Sequence, residues 1–281
     1  MQPSTEDIED GGDQPFGALR PGFPARAAWL LATTKRLPRP ARKWFRKRLA
    51  VRFPGPFDVE AEGVRLRAWP AENRCDRVAV GRGVLPEAPE RRLVDPLLRP
   101  DMTFVDIGAN VGVYSLHVSA RTGGGARVLA LEPHPRTFAK LARNVALNGF
   151  DRILALNLAA GPEAGEALLF SDGGGNIGGA SMLEGKGAAR QSVAVATCPL
   201  PDILRDNSIN RIDLLKADVE GYEDRALMPL LDDPTLEPLW PGAVLIETVN
   251  RSLWRTDVVA ALEGRGYHVA GRTEENLLLT R

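Results

Sequence analysis

The sequence predicts an α/β fold: a mostly parallel sheet with helices on both faces, preceded by a basic N-terminal extension. Three observations carry this prediction. From residue 101 onward, β-type runs alternate with helical periodicity, the pattern of parallel strands joined by crossovers. The run Phe104-Val105-Asp106-Ile107 leads straight into Gly108-Ala109-Asn110-Val111-Gly112, a buried strand entering a glycine turn and then a helix. Glu132 then closes the next strand, where a carboxylate meets the carboxyl edge of the sheet.

In chain order, strands are expected at Thr103 to Asp106, Arg127 to Leu131, Ile153 to Ala159, Asp213 to Val219 and Val244 to Thr248. Helices fit Val111 to Ala120, Pro135 to Asn148, Tyr222 to Leu231 and Ser252 to Gly264, with Gly or Asn near their ends. An insertion, Glu166 to Cys198, reads as a strand pair flanking a Gly-rich loop from Ser171 to Gly187. Tyr267 to Ala270 and Leu277 to Thr280 close one sheet edge antiparallel. This core occupies residues 101–281. Residues 58–100 form a lead-in, with a strand pair at 63–69 and around Val78 and Val80, then a helix from Val84 to Leu98.

Residues 1–57 differ from the rest in charge. The first 13 residues carry five acids and no basic residue, whereas residues 14–57 carry 11 basic residues and no acid. Residues 1 to about 20 are expected to be disordered. Ala41, Trp44, Phe45 and Leu49 recur at helical spacing among Arg42, Lys43, Arg46 and Lys47, which predicts one short amphipathic helix. Residues 35–52 are therefore a candidate for peripheral contact with an anionic membrane surface; the alternative is an ordinary helix packing Trp44 and Phe45 on the core.

Composition limits the function classes. Thirty-six Lys and Arg balance 36 Asp and Glu, so no global basic excess favours nucleic acid. Two cysteines, Cys75 and Cys198, are too few for a disulfide framework or a structural zinc site, which points to a reducing compartment. No run of about 18 to 20 apolar residues is present, and the acidic start is unlike a signal peptide. A cytoplasmic protein is expected, with the inner membrane surface as the place of any peripheral contact.

The glycine turn indicates the ligand. Its spacing is GxxxG, with Asn110 where a dinucleotide fingerprint has its second glycine, and no GK[ST] follows. That disfavours pyrophosphate and triphosphate ligands and leaves a nucleoside. Asp106 can orient an amino group, Glu132 can accept both ribose hydroxyls, and S-adenosylmethionine fits both ends. Gly108 and Gly112 are expected to clear the approach. A second cluster, Lys216, Asp218 and Glu220, falls on one side of the fourth strand by period-two alternation. The plainer alternative is an ion pair between Lys216 and Asp218.

These segments resemble the FkbM-type S-adenosylmethionine-dependent methyltransferases. The resemblance rests on Phe104 to Leu116, Leu131-Glu132-Pro133, Asn144 with Asn148-Gly149, Asn176 to Ser181, and above all Asp213 to Tyr222 with its Lys-x-Asp-Val-Glu-Gly. It covers roughly residues 85–250. It implies a Rossmann-like class I methyltransferase fold with a seven-stranded sheet, S-adenosylmethionine as donor, and O-methylation of a sugar, glycan or polyketide hydroxyl. The donor site would comprise Asp106, Gly108, Ala109, Asn110, Gly112 and Glu132, with Pro133 and His134 as its wall.

Methyl transfer to an alcohol needs alignment and a base, for which Asp218 and Glu220 are the candidates, Asp218 slightly ahead. Asn176, Ser181, Glu247 and Asn250 are candidate acceptor contacts. The acceptor pocket is expected from the N-terminal region and the insertion. No metal-ligand spacing is present, although Asp218, Glu220 and Glu247 are oxygen ligands of a kind that magnesium accepts. The rival readings are an RNA 2'-O-methyltransferase using the basic segment and a catalytically silent scaffold; oligomeric state is open.

Overall fold

The computed structural model describes residues 14–34, 38–171, 179–183 and 191–281. Its centre is a seven-stranded sheet. Five strands are parallel: β3 (Thr103–Ile107), β4 (Arg127–Leu131), β5 (Ile153–Leu156), β9 (Leu214–Ala217) and β10 (Ala243–Glu247). Two more, β11 (His268–Arg272) and β12 (Asn276–Thr280), close one side antiparallel, giving the order β11-β12-β10-β9-β3-β4-β5. This is the Rossmann-like arrangement expected from the alternating pattern.

The sheet order places the site. From β3 the chain moves outward through β4 and β5, then returns to lay β9 on the other flank of β3. The connections on either side of β3 thus diverge, opening a crevice at the carboxyl ends of β3 and β9.

Alternation assigns the faces. Val105, Ile107, Leu129, Leu131, Leu215 and Ile246 point to a core completed by α7 (Leu200–Asp206), α8 (Glu223–Leu231) and α9 (Val258–Glu263). Phe104, Val128, Leu214 and Leu245 point the other way, toward α5 (Val113–Arg121) and the segment around Val94. Helix α6 (Pro135–Asn148) covers Ala130 through Leu141.

Several boundaries differ from the sequence reading. The hairpin of the lead-in is β1 (Phe57–Ala61) with β2 (Val64–Ala68), while Val78 and Val80 belong to α3 (Arg74–Arg82), not to a strand. Asn73 caps this helix, its Oδ1 accepting from the Cys75 amide. A short helix α4 (Ala88–Val94) follows. The third main strand stops at Leu156, and β6 (Ala159–Ala160) leaves for a small separate sheet with β7 (Gly165–Ser171) and β8 (Gln191–Cys198). The expected long helix after residue 252 begins only at Val258, where Asp257 caps α9 by accepting from the Val259 and Ala260 amides.

The N-terminal extension folds as two helices, α1 (Phe23–Thr33), which the sequence reading missed, and α2 (Arg39–Arg52). Residues 14–20 are not the disordered lead expected. Asp58 of β1 accepts from the amides of Gly17 and Leu19 at 2.7 and 3.1 Å and pairs with Arg67 at 2.8 Å, so β1 holds the chain preceding α1. Residues 1–13 lie outside the described residues.

Two asparagine amides, one buried and one partly exposed, dock the hairpin on the core. Asn144 of α6 accepts from the Arg67 amide and donates to the Val111 carbonyl. Asn148 both accepts from the Arg65 amide and donates to its carbonyl.

Candidate active site

β3 ends in a backbone turn that only glycine can begin. Gly108 has φ +79°, and a Cβ there would stand 2.0 Å from the Asp218 carbonyl oxygen. The β3 and β9 loops thus meet backbone to backbone. Gly112, φ +94°, serves helix packing, because its Cβ would meet Leu141 at 2.8 Å. Both glycines thus have a packing reason in neighbouring protein atoms.

Glu132 follows β4 and is buried. Its Oε2 accepts from the Asn110 amide and its Oε1 from the His134 amide, each at 2.9 Å. Burial outweighs those bonds and pushes its carboxyl up to about 7. Asn157 donates to the Glu132 and Pro133 carbonyls and so fixes the turn.

Asp106 and Lys216 are register partners on β3 and β9 and share the α5 face. Asp106 Oδ2 accepts from Ser115 at 2.7 Å, while Oδ1 has no hydrogen bond and lies 3.8 Å from Lys216 Nζ. Burial raises the Asp106 carboxyl against the pull of Lys216. Lys216 itself is buried, stands 5.0 Å over the Tyr114 ring and pairs with Asp218 Oδ2 at 3.3 Å. Burial alone would lower its pKa; Asp218 and Asp106 more than offset that and hold it above the usual lysine range.

The strand β9 stops at Ala217, earlier than expected. Asp218 and Glu220 stand in the loop beyond it rather than on a continuing strand face. Glu220 is itself in the left-handed region, at φ +54°. Its loop is built by Glu223, whose Oε1 accepts from the Val219 and Gly221 amides and whose Oε2 accepts from the Trp254 indole. Ser181 Oγ donates to the Glu220 carbonyl at 2.8 Å.

One pocket joins these pieces, with a volume of about 1050 Å³ including its open mouth. Gly108, Asn110, Glu132, Pro133, Asp218, Glu220 and Glu247 all line it. Asp106 lies behind it, paired with Lys216. Ala109, Gly112 and His134 support the turn rather than the wall, and Asn250 stands beside Gly221. Asn176 lies outside the described residues. His117 is buried between Arg91 and Asp95, away from the pocket.

The pocket is strongly acidic. Burial, reinforced by Asp218 and Glu223, pushes Glu220 up to about 7. Burial with Asp218 and Glu220 pushes Glu247 up to about 9, and its Oε2 has no hydrogen-bond partner. Glu87, which the sequence reading missed, faces the same space and is pushed up to about 7 by burial and Asp218. Glu87 and Asn110 share with Glu220 a left-handed backbone, at φ +58° and +53°. Three strained non-glycine positions thus line one pocket. Asn73 Nδ2 donates to Asn110 Oδ1 at 2.6 Å, tying the lead-in to the β3 turn.

Comparison with known proteins gives the family. Residues 106–268 match the family model described as the methyltransferase FkbM domain, more than half of the chain. Over 196 residues the chain is 33% identical to methyltransferase sdnD of Sordaria araneosa, covering 59% of this chain and 73% of that protein. Over 155 residues it is 29% identical to methyltransferase 1 of Beauveria bassiana (strain ARSEF 2860), covering 48% of this chain and 61% of that one. The crystal structure of methyltransferase FkbM from Methylobacillus flagellatus KT aligns with 66% of this chain and 44% of its own, at 18% identity and a TM-score of 0.46. The chain belongs to the FkbM methyltransferase family.

This FkbM protein is therefore a methyltransferase that depends on S-adenosylmethionine, and its pocket can be tested against that donor. Glu132 offers a buried carboxylate whose oxygens each keep acceptor capacity after one backbone bond. Beside it, Ile107, Leu131, Leu158 and Ala160 supply apolar wall for a purine. The residues fit. Among the described residues no group of three or more His, Cys, Asp and Glu side chains is arranged to hold a metal ion.

Some of what sequence reading missed in this FkbM protein lies upstream of its family match. Arg74, Cys75 and Glu87 line the pocket from α3 and the start of α4. Glu87 precedes Ala88-Pro89, an ordinary helix-start pattern, and nothing local marks it as a site residue.

Proposed function

We propose that this methyltransferase transfers methyl to a hydroxyl of a sugar, glycan or polyketide-type small molecule, with Glu220 as the general base. One observation carries the reading: Glu220, with a carboxyl near neutrality, shares a pocket with Glu132 and the Gly108 turn. An alcohol becomes a competent nucleophile only as its proton leaves, and a base is most effective with a pKa near the working pH. Asp218, in contact with Lys216, is engaged in an ion pair and serves to orient. That reverses the order of the two expected from the sequence.

The bound donor supplies an electrophilic methyl group on a sulfonium. Glu132 and the Asn110 turn hold its nucleoside end. Glu220 would take the proton of the acceptor hydroxyl as the methyl passes to its oxygen, and the donor would leave as a neutral thioether, so charge balances. Glu247, protonated at neutral pH by its raised pKa, donates to an acceptor hydroxyl and helps to align it. The acceptor side is furnished by Arg74, Cys75 and Glu87 from the lead-in and by Leu169, Ala180 and Met182 from the insertion.

Two measurements test this. Calorimetry with S-adenosylmethionine and its demethylated product, against NAD and ATP, should show binding of the first pair alone. A panel of hydroxylated glycans and polyketides, assayed for methyl incorporation, should yield an O-methyl product that Glu220→Gln does not form. Transfer only to amines or to RNA would overturn the hydroxyl reading.

A further inference from the structure

We infer that the α1–α2 hairpin is a docking surface that lays this enzyme on an anionic lipid bilayer. The two helices have one committed face and one open face. On the inner side Trp29 is fully buried, its indole donating to the Phe53 carbonyl at 3.1 Å, and Leu49 and Phe53 pack with it against β2 and α3. The hairpin is therefore held to the body.

The outer side is unlike an ordinary solvated surface. Trp44 is 54% exposed, Phe45 37% and Val51 85%, and on α1 Phe23 is 84% exposed beside the exposed Leu30 and Leu31. These are six of the eleven large hydrophobic side chains exposed among the described residues. Trp44, Arg48 and Val51 follow one another at i, i+4 and i+7, one stripe of α2, with the Arg48 guanidinium 5.0 Å over the Trp44 ring. Lys47 and Arg52 are exposed on the same helix. The alternative that Trp44 and Phe45 pack on the core does not hold.

Charge selects the occupant. Residues 14–57 hold 11 basic residues and no acid, in a chain whose net charge is zero. An exposed apolar stripe on a segment whose charged residues are all basic complements a surface that is anionic at the headgroups and apolar beneath, with the aromatic rings at the boundary. Nucleic acid would match the cations but leaves Phe23, Leu30, Leu31 and Val51 in water. Among the described residues no helix is long and apolar enough to cross a membrane, so the contact lies in the plane of the interface.

The test is sedimentation of the full chain with vesicles of phosphatidylcholine alone and of an equimolar phosphatidylcholine–phosphatidylglycerol mixture. We expect binding to the mixed vesicles, weakened by salt, and a loss of about tenfold or more in W44A/F45A, whose donor binding is unchanged. The wild-type-minus-W44F fluorescence difference isolates Trp44 and should shift to the blue on binding, without depending on the double variant. Absence from mixed vesicles, equal binding to phosphatidylcholine alone, binding indifferent to W44A/F45A, or retention on RNA without vesicle association would each overturn the inference.

Discussion

Glu220 sits in a backbone region that a side-chain-bearing residue enters at a cost, and its carboxyl is raised by burial and by the charges of Asp218 and Glu223. Both features are held by Glu223, which has no room to act otherwise because both its oxygens are engaged. If Glu220 is the base, kcat rises with pH through about 7 as its proton is lost, and Glu220→Gln flattens that limb while lowering kcat about 10²- to 10⁴-fold. A pH–rate profile on both proteins checks this; an unchanged limb in the variant would assign it to another group. Glu132→Ala is expected to act differently if Glu132 holds the donor as proposed, weakening donor binding in calorimetry by about tenfold or more while leaving the acceptor side intact, since its oxygens brace the Asn110 and His134 amides of the turn.

The contacts between elements carry the next predictions. Gly108 and Asp218 touch through main-chain atoms, so Gly108→Ala cannot be relieved by a rotamer change. We expect a loss above about 4 kcal/mol in urea unfolding, or failure to fold, whereas a surface substitution would cost almost nothing. The buried Asp58–Arg67 pair joins β1, β2 and the chain at residues 17–19. Burial raises the Asp58 carboxyl, but Arg67 and the Leu19 and Gly17 amides outweigh it, so the folded pKa lies below 3.8. The stabilisation is thus full above about pH 4 and is lost as pH falls through the folded value. Asp58→Asn should cost about 3 to 5 kcal/mol at neutral pH, a gap that narrows on acidification.

Taken as a whole molecule, the sheet and its ligand edge were legible because they rest on local signals. The Phe104 to Gly112 run reports a strand, a turn and a helix in nine residues, and Glu132 falls where any parallel neighbour must end. The lead-in was read poorly because its order is borrowed: Val78 and Val80 alternate like a strand but are helical under the Asn73 cap and packing on α1. Helix α1 had no polar N-cap to announce it, and Glu87 reaches the pocket only through tertiary placement. Part of the pocket wall, Arg74, Cys75 and Glu87, therefore comes from outside residues 106–268, which carry the family match. S-adenosylmethionine at about 100 times its Kd should stabilise the folded chain by about 2.7 kcal/mol, visible as a rise in Tm that Glu132→Ala reduces.

Asn148 also covers a sheet edge. A two-stranded hairpin leaves the outer edge of β2 with unpaired main-chain groups, a template on which a foreign strand can add. Asn148 satisfies both the N–H and the C=O of Arg65, and Asn144 takes the next outward N–H at Arg67, so two side chains stand in for a missing third strand. The edge thus offers a strand of a second copy no free main-chain group at Arg65 and no free amide at Arg67, so the two asparagines, of which Asn144 also serves the β3 turn through the Val111 carbonyl, bear on the colloidal behaviour of the protein in concentrated solution.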